Sequence, residues 1–106
     1  METQLADKEI TDIFKNSKVI ALVGASSKFD KASNIVMKYL LEFGYEVIPI
    51  NPGAAGEKIL GQMTYSSAAE IKKNIDILNI FRPSEEAEKI IEEIIKKNIK
   101  TIWLQL

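Results

Sequence analysis

The sequence predicts an α/β fold, a three-layer parallel sheet with helices on both faces, and three observations predict it. A short apolar run, Lys18 to Val23, breaks at Gly24-Ala25-Ser26-Ser27. A second run, Tyr45 to Ile50, breaks at Asn51-Pro52-Gly53, and a helical pattern lies between the two. Apolar runs and helical patterns then keep alternating to the last residues. A strand, a Gly/Ser turn, a helix and a second strand open doubly wound sheets, and alternation of this kind implies parallel pairing through helical crossovers.

The elements follow in order. Asp7 is expected to N-cap a short helix with Ile10, Ile13 and Phe14 on one face. The first strand is Lys18 to Val23, and Gly24 to Ala32 is a polar turn. Ser33 or Asn34 caps the next helix, with Ile35, Val36, Tyr39, Leu40 and Phe43 as its apolar stripe and Gly44 as its left-handed stop. The second strand is Tyr45 to Ile50, followed by a turn cluster to Gly56. Ile59 to Tyr65 is a weak edge strand, and Ser67 to Glu70 has capping-box spacing for a brief helix. Ile75 to Phe81 is the next strand, ended by Arg82-Pro83-Ser84. Ser84 caps a long helix to about Asn98, with Glu85 and Glu86 in its first turn and Lys96 and Lys97 in its last. Ile90, Ile91, Ile94 and Ile95 form its buried face, and Thr101 to Gln105 is a final strand. Right-handed crossovers give a Rossmann-like strand order of about 3-2-1-4-5. The turns after strands 1 and 4 then flank the switch point, which places Gly24–Lys31 beside Arg82.

The chain of 106 residues is one domain's worth, residues 1–106. Because an apolar strand, Trp103-Leu104-Gln105-Leu106, reaches the last residue, a C-terminal helix and edge strand are expected to be missing. At 46% hydrophobic and 27% charged the chain can bury a core and stay soluble. A net charge of −1 argues against bulk binding to nucleic acid or to an anionic membrane. No apolar run approaches a membrane span, and Met1 to Glu9 does not read as a signal peptide. The absence of cysteine removes disulfides and fits the cytoplasm as the expected location. With no cysteine and no histidine, thiolate nucleophiles, Ser-His triads and most zinc sites are excluded, and no metal site is expected. The remaining residue types suit binding better than difficult catalysis.

The Gly/Ser turn can aim backbone N–H groups and a helix N-terminus at a phosphate. A dinucleotide fingerprint needs Gly-x-Gly-x-x-Gly and an acid at the end of the second strand, to bind a ribose hydroxyl. Gly24-Ala25-Ser26-Ser27-Lys28-Phe29 has one glycine of the three, and the second strand ends in Asn51, so NAD is disfavoured. A phosphorylated ribose requires such a missing acid, and both NADP and coenzyme A carry one. Lys28, Lys31 and Arg82 put three positive charges near one turn. A Walker loop is excluded, because no Gly-Lys-Ser/Thr follows Gly24.

One set of pieces runs through Val23-Gly24-Ala25-Ser26, Lys31, Ser33 and Tyr39-Leu40-Leu41. It continues through Gly44 to Pro52, Ile59-Leu60-Gly61, Tyr65, Ile75-Asp76, Phe81-Arg82 and Trp103-Leu104-Gln105. In this set the sequence resembles the small stand-alone CoA-binding domain proteins, which are Rossmann-like and similar to the CoA-binding domain of the succinyl-CoA synthetase alpha subunit. These pieces span nearly the whole chain from Lys18. The resemblance implies that Gly24, Ala25, Ser26, Ser27 and Lys28 hold a pyrophosphate through backbone N–H groups. It implies that Lys31, where the family prefers arginine, adds charge for the phosphates and that Asn51-Pro52 borders the adenosine. Arg82, Trp103, Leu104 and Gln105 would line the side facing the pyrophosphate or pantetheine. Departures are Phe29 and Ala32, where proline is frequent in the family, and Ala54, where the synthetase has lysine. The family's Gly-Ile after Trp-Leu-Gln is also absent. The synthetase's catalytic histidine lies in another domain, so its activity is not carried over.

Each of these residues also has an ordinary structural reading. Gly24 can be a tight turn, Lys28 and Lys31 solvated charges, Ser33 a helix cap, Asn51-Pro52 a turn, and Trp103 core. Arg82 can pair with Glu85 or Glu86. The expected function is non-catalytic binding of coenzyme A or an acyl-CoA, with a homodimer among the expected partners. The alternatives are an NADP- or other nucleotide-dependent enzyme component, or an interaction domain with a vestigial site.

Overall fold

In a computed structural model, residues 7–94, 97 and 99–104 are described. Helix α1 (Asp7–Lys15) leads into β1 (Val19–Val23), α2 (Ala32–Glu42) and β2 (Glu46–Ile50). A 3-10 turn at Pro52–Ala54 precedes β3 (Lys58–Ile59) and β4 (Gln62–Met63), and a second 3-10 turn covers Ala68–Glu70. β5 (Ile77–Ile80), α3 (Ser84–Ile94) and β6 (Thr101–Leu104) complete the described elements. The side-chain caps expected at Asp7 and Ser84, the helix end at Ile95, Lys96 and Asn98, and the strand end at Gln105 fall outside the described residues.

The fold is the expected Rossmann-like α/β sheet. Its four strands run in the order β2-β1-β5-β6, and every neighbouring pair is parallel. Central strands of such sheets are covered on both faces and read as continuous apolar runs. Accordingly Ile20 to Val23 of β1 and Ile77 to Ile80 of β5 are all buried. Pro49 lies in β2, whose carbonyl accepts from Tyr65 N–H on the outer edge, so its missing N–H costs no bond to β1.

Side chains alternate between two cores. On one face Ala21, Val23, Ile48, Ile50, Leu78 and Ile80 pack with Ala87 and Ile94 of α3. On the other, Leu22 and Val47 pack with Met37 of α2 and with Ala25 and Ile59. α1 is anchored through Phe14, whose carbonyl accepts from the Tyr45 hydroxyl at 2.8 Å and whose ring lies edge-on to Tyr45. Asp76 fastens the amino-terminal end of the sheet. Its Oδ2 accepts from the N–H groups of Lys18 at 2.8 Å and Val19 at 3.0 Å.

Three expectations are corrected. Ile59 to Tyr65 is a short antiparallel hairpin, Lys58↔Met63 and Ile59↔Gln62, and only Tyr65 bridges to Ile50 in parallel. Leu60 and Gly61, both at positive φ, turn the chain back before an edge strand can extend. Ser33 and Asn34 do not cap α2. The helix begins two or three residues earlier, Lys31 occupies the cap position, and both side chains are buried. The α2 stripe is also rotated: Met37 faces the core, whereas Ile35, Tyr39 and Phe43 are exposed. The helix ends as expected, with Gly44 at φ 92°. Gly44 N–H donates to Leu41 and Tyr45 N–H to Leu40, the paired bonds of a Schellman stop.

Candidate functional site

The carboxyl ends of β1, β2 and β5 meet the amino end of α2 in an open cleft of about 400 Å³. Gly24, Ala25, Ser26, Lys31, Asn51 and Arg82 line it, together with Ala32, Ser33 and Phe81. The structure therefore brings together six of the residues expected from sequence. Ser27 and Lys28 are exposed and outside the lining.

Gly24 serves this site as a turn. Its φ is 87°, and a Cβ there would sit 2.7 Å from the carbonyl oxygen of Phe81. Only glycine lets β1 pass the end of β5 so closely. The N–H groups of Gly24 and Ala25 both donate to the Ile50 carbonyl, at 2.9 and 3.3 Å. They are thus taken out of the set expected to face a pyrophosphate, because the turn must first close against β2. Among the described residues, no acceptor takes the N–H groups of Ser26, Ser27, Ala32 or Ser33.

Two asparagines fix the turn from beneath. Asn51 Nδ2 donates to Ala25 O and Asn34 Nδ2 to Ser26 O, each at 2.8 Å. Asn51 Oδ1 also accepts from Gly53 N–H at 2.9 Å. Two successive carbonyl oxygens of the turn are thereby engaged by amides. The open donors, the amino end of α2, Lys31 and Arg82 remain to set the sign of the cleft, which is positive. This donor set fits a diphosphate. Asn51 acts here as a strut between two turns.

A second cleft of about 290 Å³ lies on the α3 side of the same sheet edge. Val23, Ile50, Ala68, Ile90 and Ile94 give it apolar walls, and Pro52, Ser66 and Ser67 lie along its rim. Glu86, Lys89 and Glu93 of α3 line it too, and Arg82 belongs to both clefts. Arg82 Nε is 3.4 Å from Glu86 Oε2, so the expected structural pairing is made across one helical turn. Behind Ser66 and Ser67, Glu70 closes the brief 3-10 turn. The Ser66 hydroxyl, then the N–H groups of Ser67 and Ser66, hold its carboxyl below the usual carboxylate range.

The C-terminal strand does not join these clefts. The Trp103 ring lies against Phe14 of α1, with centroids 6.3 Å apart, and Leu104 is exposed on the sheet edge. Neither lines either cleft, because the pleat turns Trp103 toward α1. Gln105 lies outside the described residues. Sequence reasoning missed Ala32 and Phe81 as cleft walls, set Ser33 down first as a helix cap, and missed the second cleft. The spacing of Glu86, Lys89 and Glu93 around Ile90 marks one face of a helix, and that face reads equally well as solvated surface.

Comparison with known proteins shows the family. Residues 18–106 match the family model described as a CoA binding domain. The chain is 40% identical over 97 residues to the uncharacterized protein YneT of Bacillus subtilis, covering 92% of this chain and 70% of that protein. It is 33% identical over 91 residues to the alpha subunit of acetate–CoA ligase [ADP-forming] I of Pyrococcus furiosus, covering 82% of this chain and 20% of the subunit. The chain thus spans about a fifth of that ligase subunit's length. A solved structure of a hypothetical protein from Pyrococcus horikoshii superposes with a TM-score of 0.88 at 41% identity, over 97% of this chain and 75% of that one. The chain belongs to the CoA-binding domain family.

Proposed function

We propose that this domain binds coenzyme A or an acyl-CoA and performs no chemistry by itself. The observation that carries the reading is the pair of clefts joined at Arg82 on the carboxyl edge of the sheet. One has open N–H groups, Lys31 and a helix N-terminus for phosphates. The other has apolar walls for a flat or aliphatic group. Ligands of open α/β sheets settle at this edge, at the switch in strand order.

In this reading Ser26, Ser27, Ala32 and Ser33 donate backbone N–H bonds to the pyrophosphate, and Lys31 and Arg82 neutralise it. Asn51 and Asn34 keep the turn in shape without touching the ligand. The apolar cleft takes the adenosine beside Pro52. The chain has no histidine or cysteine to form a covalent intermediate, which supports a binding role. The same reading places the protein in the cytoplasm.

Titration calorimetry with CoA, dephospho-CoA, NADP and NAD tests the proposal. CoA binding at least about tenfold tighter than NAD and NADP is expected, a difference of about 1.4 kcal/mol. Equal affinities, or no binding of CoA, overturn it.

A further inference from the structure

The ridge of α2 that faces away from the sheet is apolar. Ile35, Tyr39 and Phe43 follow one another at intervals of four residues and are 45%, 58% and 78% exposed. Residues so spaced stack along one helix face. The core needs none of them, since Met37, Val36, Leu40 and Leu41 already cover the sheet. A continuous exposed apolar ridge of this kind marks a contact surface.

The flanking charges say what covers it. Lys38 and Glu42 are both exposed and form the adjacent ridge of the same helix. We propose that a second copy of this chain docks here, α2 packing antiparallel on α2 about a two-fold axis that crosses the helix at the level of residue 40. In that arrangement Lys38 falls opposite the partner's Glu42, and Glu42 opposite the partner's Lys38. Ile35, Tyr39 and Phe43 interleave with their symmetry mates, each a few ångströms out of step along the axis at about 1.5 Å per residue. A two-fold interface must be self-complementary in shape and charge. The apolar ridge, with one cation and one anion placed symmetrically about position 40, one residue from the ridge's own centre at Tyr39, meets both conditions. This inference stands apart from the ligand reading, because none of these five residues lines either cleft.

Sedimentation velocity on the full chain, with and without CoA, tests it. A dimer is expected without ligand, and Tyr39→Glu is expected to give a monomer that keeps the wild-type circular-dichroism spectrum and melts cooperatively. Lys38→Glu and Glu42→Lys are each expected to raise the dimer dissociation constant about tenfold or more, and the double swap to restore it. A monomeric wild type overturns the proposal. So does a dimer that survives Tyr39→Glu, which would assign the contact elsewhere, for example to the exposed β6 edge. A double swap that fails to recover the single losses overturns the antiparallel register.

Discussion

Asn34 reaches from the first turn of α2 back to the turn that precedes it, its Nδ2 donating to Ser26 O at 2.8 Å. Asn34 is buried, so this bond cannot be replaced by solvent at no cost. Replacing Asn34 by Asp puts a carboxylate oxygen against that carbonyl. The expected loss is about 1–3 kcal/mol of stability by denaturant titration. A weakening of CoA binding by about tenfold, in protein verified as folded, is also expected. Unchanged affinity in a folded Asn34→Asp would mean the shape of the turn does not matter for the ligand.

Lys31 and Lys28 provide an internal comparison. Both lie in the same turn, but only Lys31 lines the cleft. Lys31→Ala is expected to weaken CoA about tenfold and to flatten its salt dependence, while Lys28→Ala changes affinity less than about twofold. Both are exposed, so neither substitution should move the melting temperature appreciably. Equal losses in calorimetry would return Lys31 to the solvated charges. Gly24 is a poor probe for the same purpose. Any Cβ there collides with the Phe81 backbone, and a failed Gly24→Val would report folding rather than binding.

Much of this arrangement was legible in the residues. The apolar runs ending at Val23, Ile50 and Phe81 locate the sheet edge, because parallel strands must be apolar throughout and their carboxyl ends must open into turns. The position of Arg82 beside Gly24 follows from crossover handedness alone. Three features were not legible, each because a tertiary contact overrode a local signal. Ser33 and Asn34 look like caps, but Asn34 is needed beneath the turn, so the helix starts before them. Tyr39 and Phe43 fit an apolar stripe, but rotation of α2 toward Met37 leaves them outside. Gly24 and Ala25 look like anion donors, but the strand ladder takes their N–H groups first. The reach of α3's Glu86 and Lys89 into a second cleft depends on helix placement that periodicity does not determine.

In the proposed reading, Glu86 competes with the ligand's phosphates for Arg82. The pair is half-exposed, so the contact itself contributes little to stability, on the order of 0–1 kcal/mol. A bound diphosphate nearby must share the guanidinium with this carboxylate. Glu86→Gln is therefore expected to tighten CoA about two- to fivefold, since 1.4 kcal/mol corresponds to tenfold and only part of one screened interaction is relieved. Calorimetry showing weaker binding would mean that Glu86 orients Arg82 toward the ligand.

Asp76 makes the acid limb of stability predictable. The N–H groups of Val19 and Lys18, and Lys100 more weakly, hold its carboxyl below the ordinary 3.8. In the unfolded chain these bonds are gone and the carboxyl binds its proton more readily. Between the two values the unfolded state therefore carries more protons, and stability rises with pH there. The contribution of Asp76 is fully present above about pH 4–5 and is lost as pH falls through the folded-state value. Replacing Asp76 by Ala leaves the N–H groups of Lys18 and Val19 without an acceptor at the start of β1, while the sheet beyond keeps its ladder. An expected loss of about 1–3 kcal/mol at neutral pH corresponds to several degrees in melting temperature for a domain of this size. The difference between wild type and Asp76→Ala should shrink as the melts are repeated toward pH 3. A difference that stays constant with pH would show that the ionised carboxylate is not what holds the two strands' amino ends together.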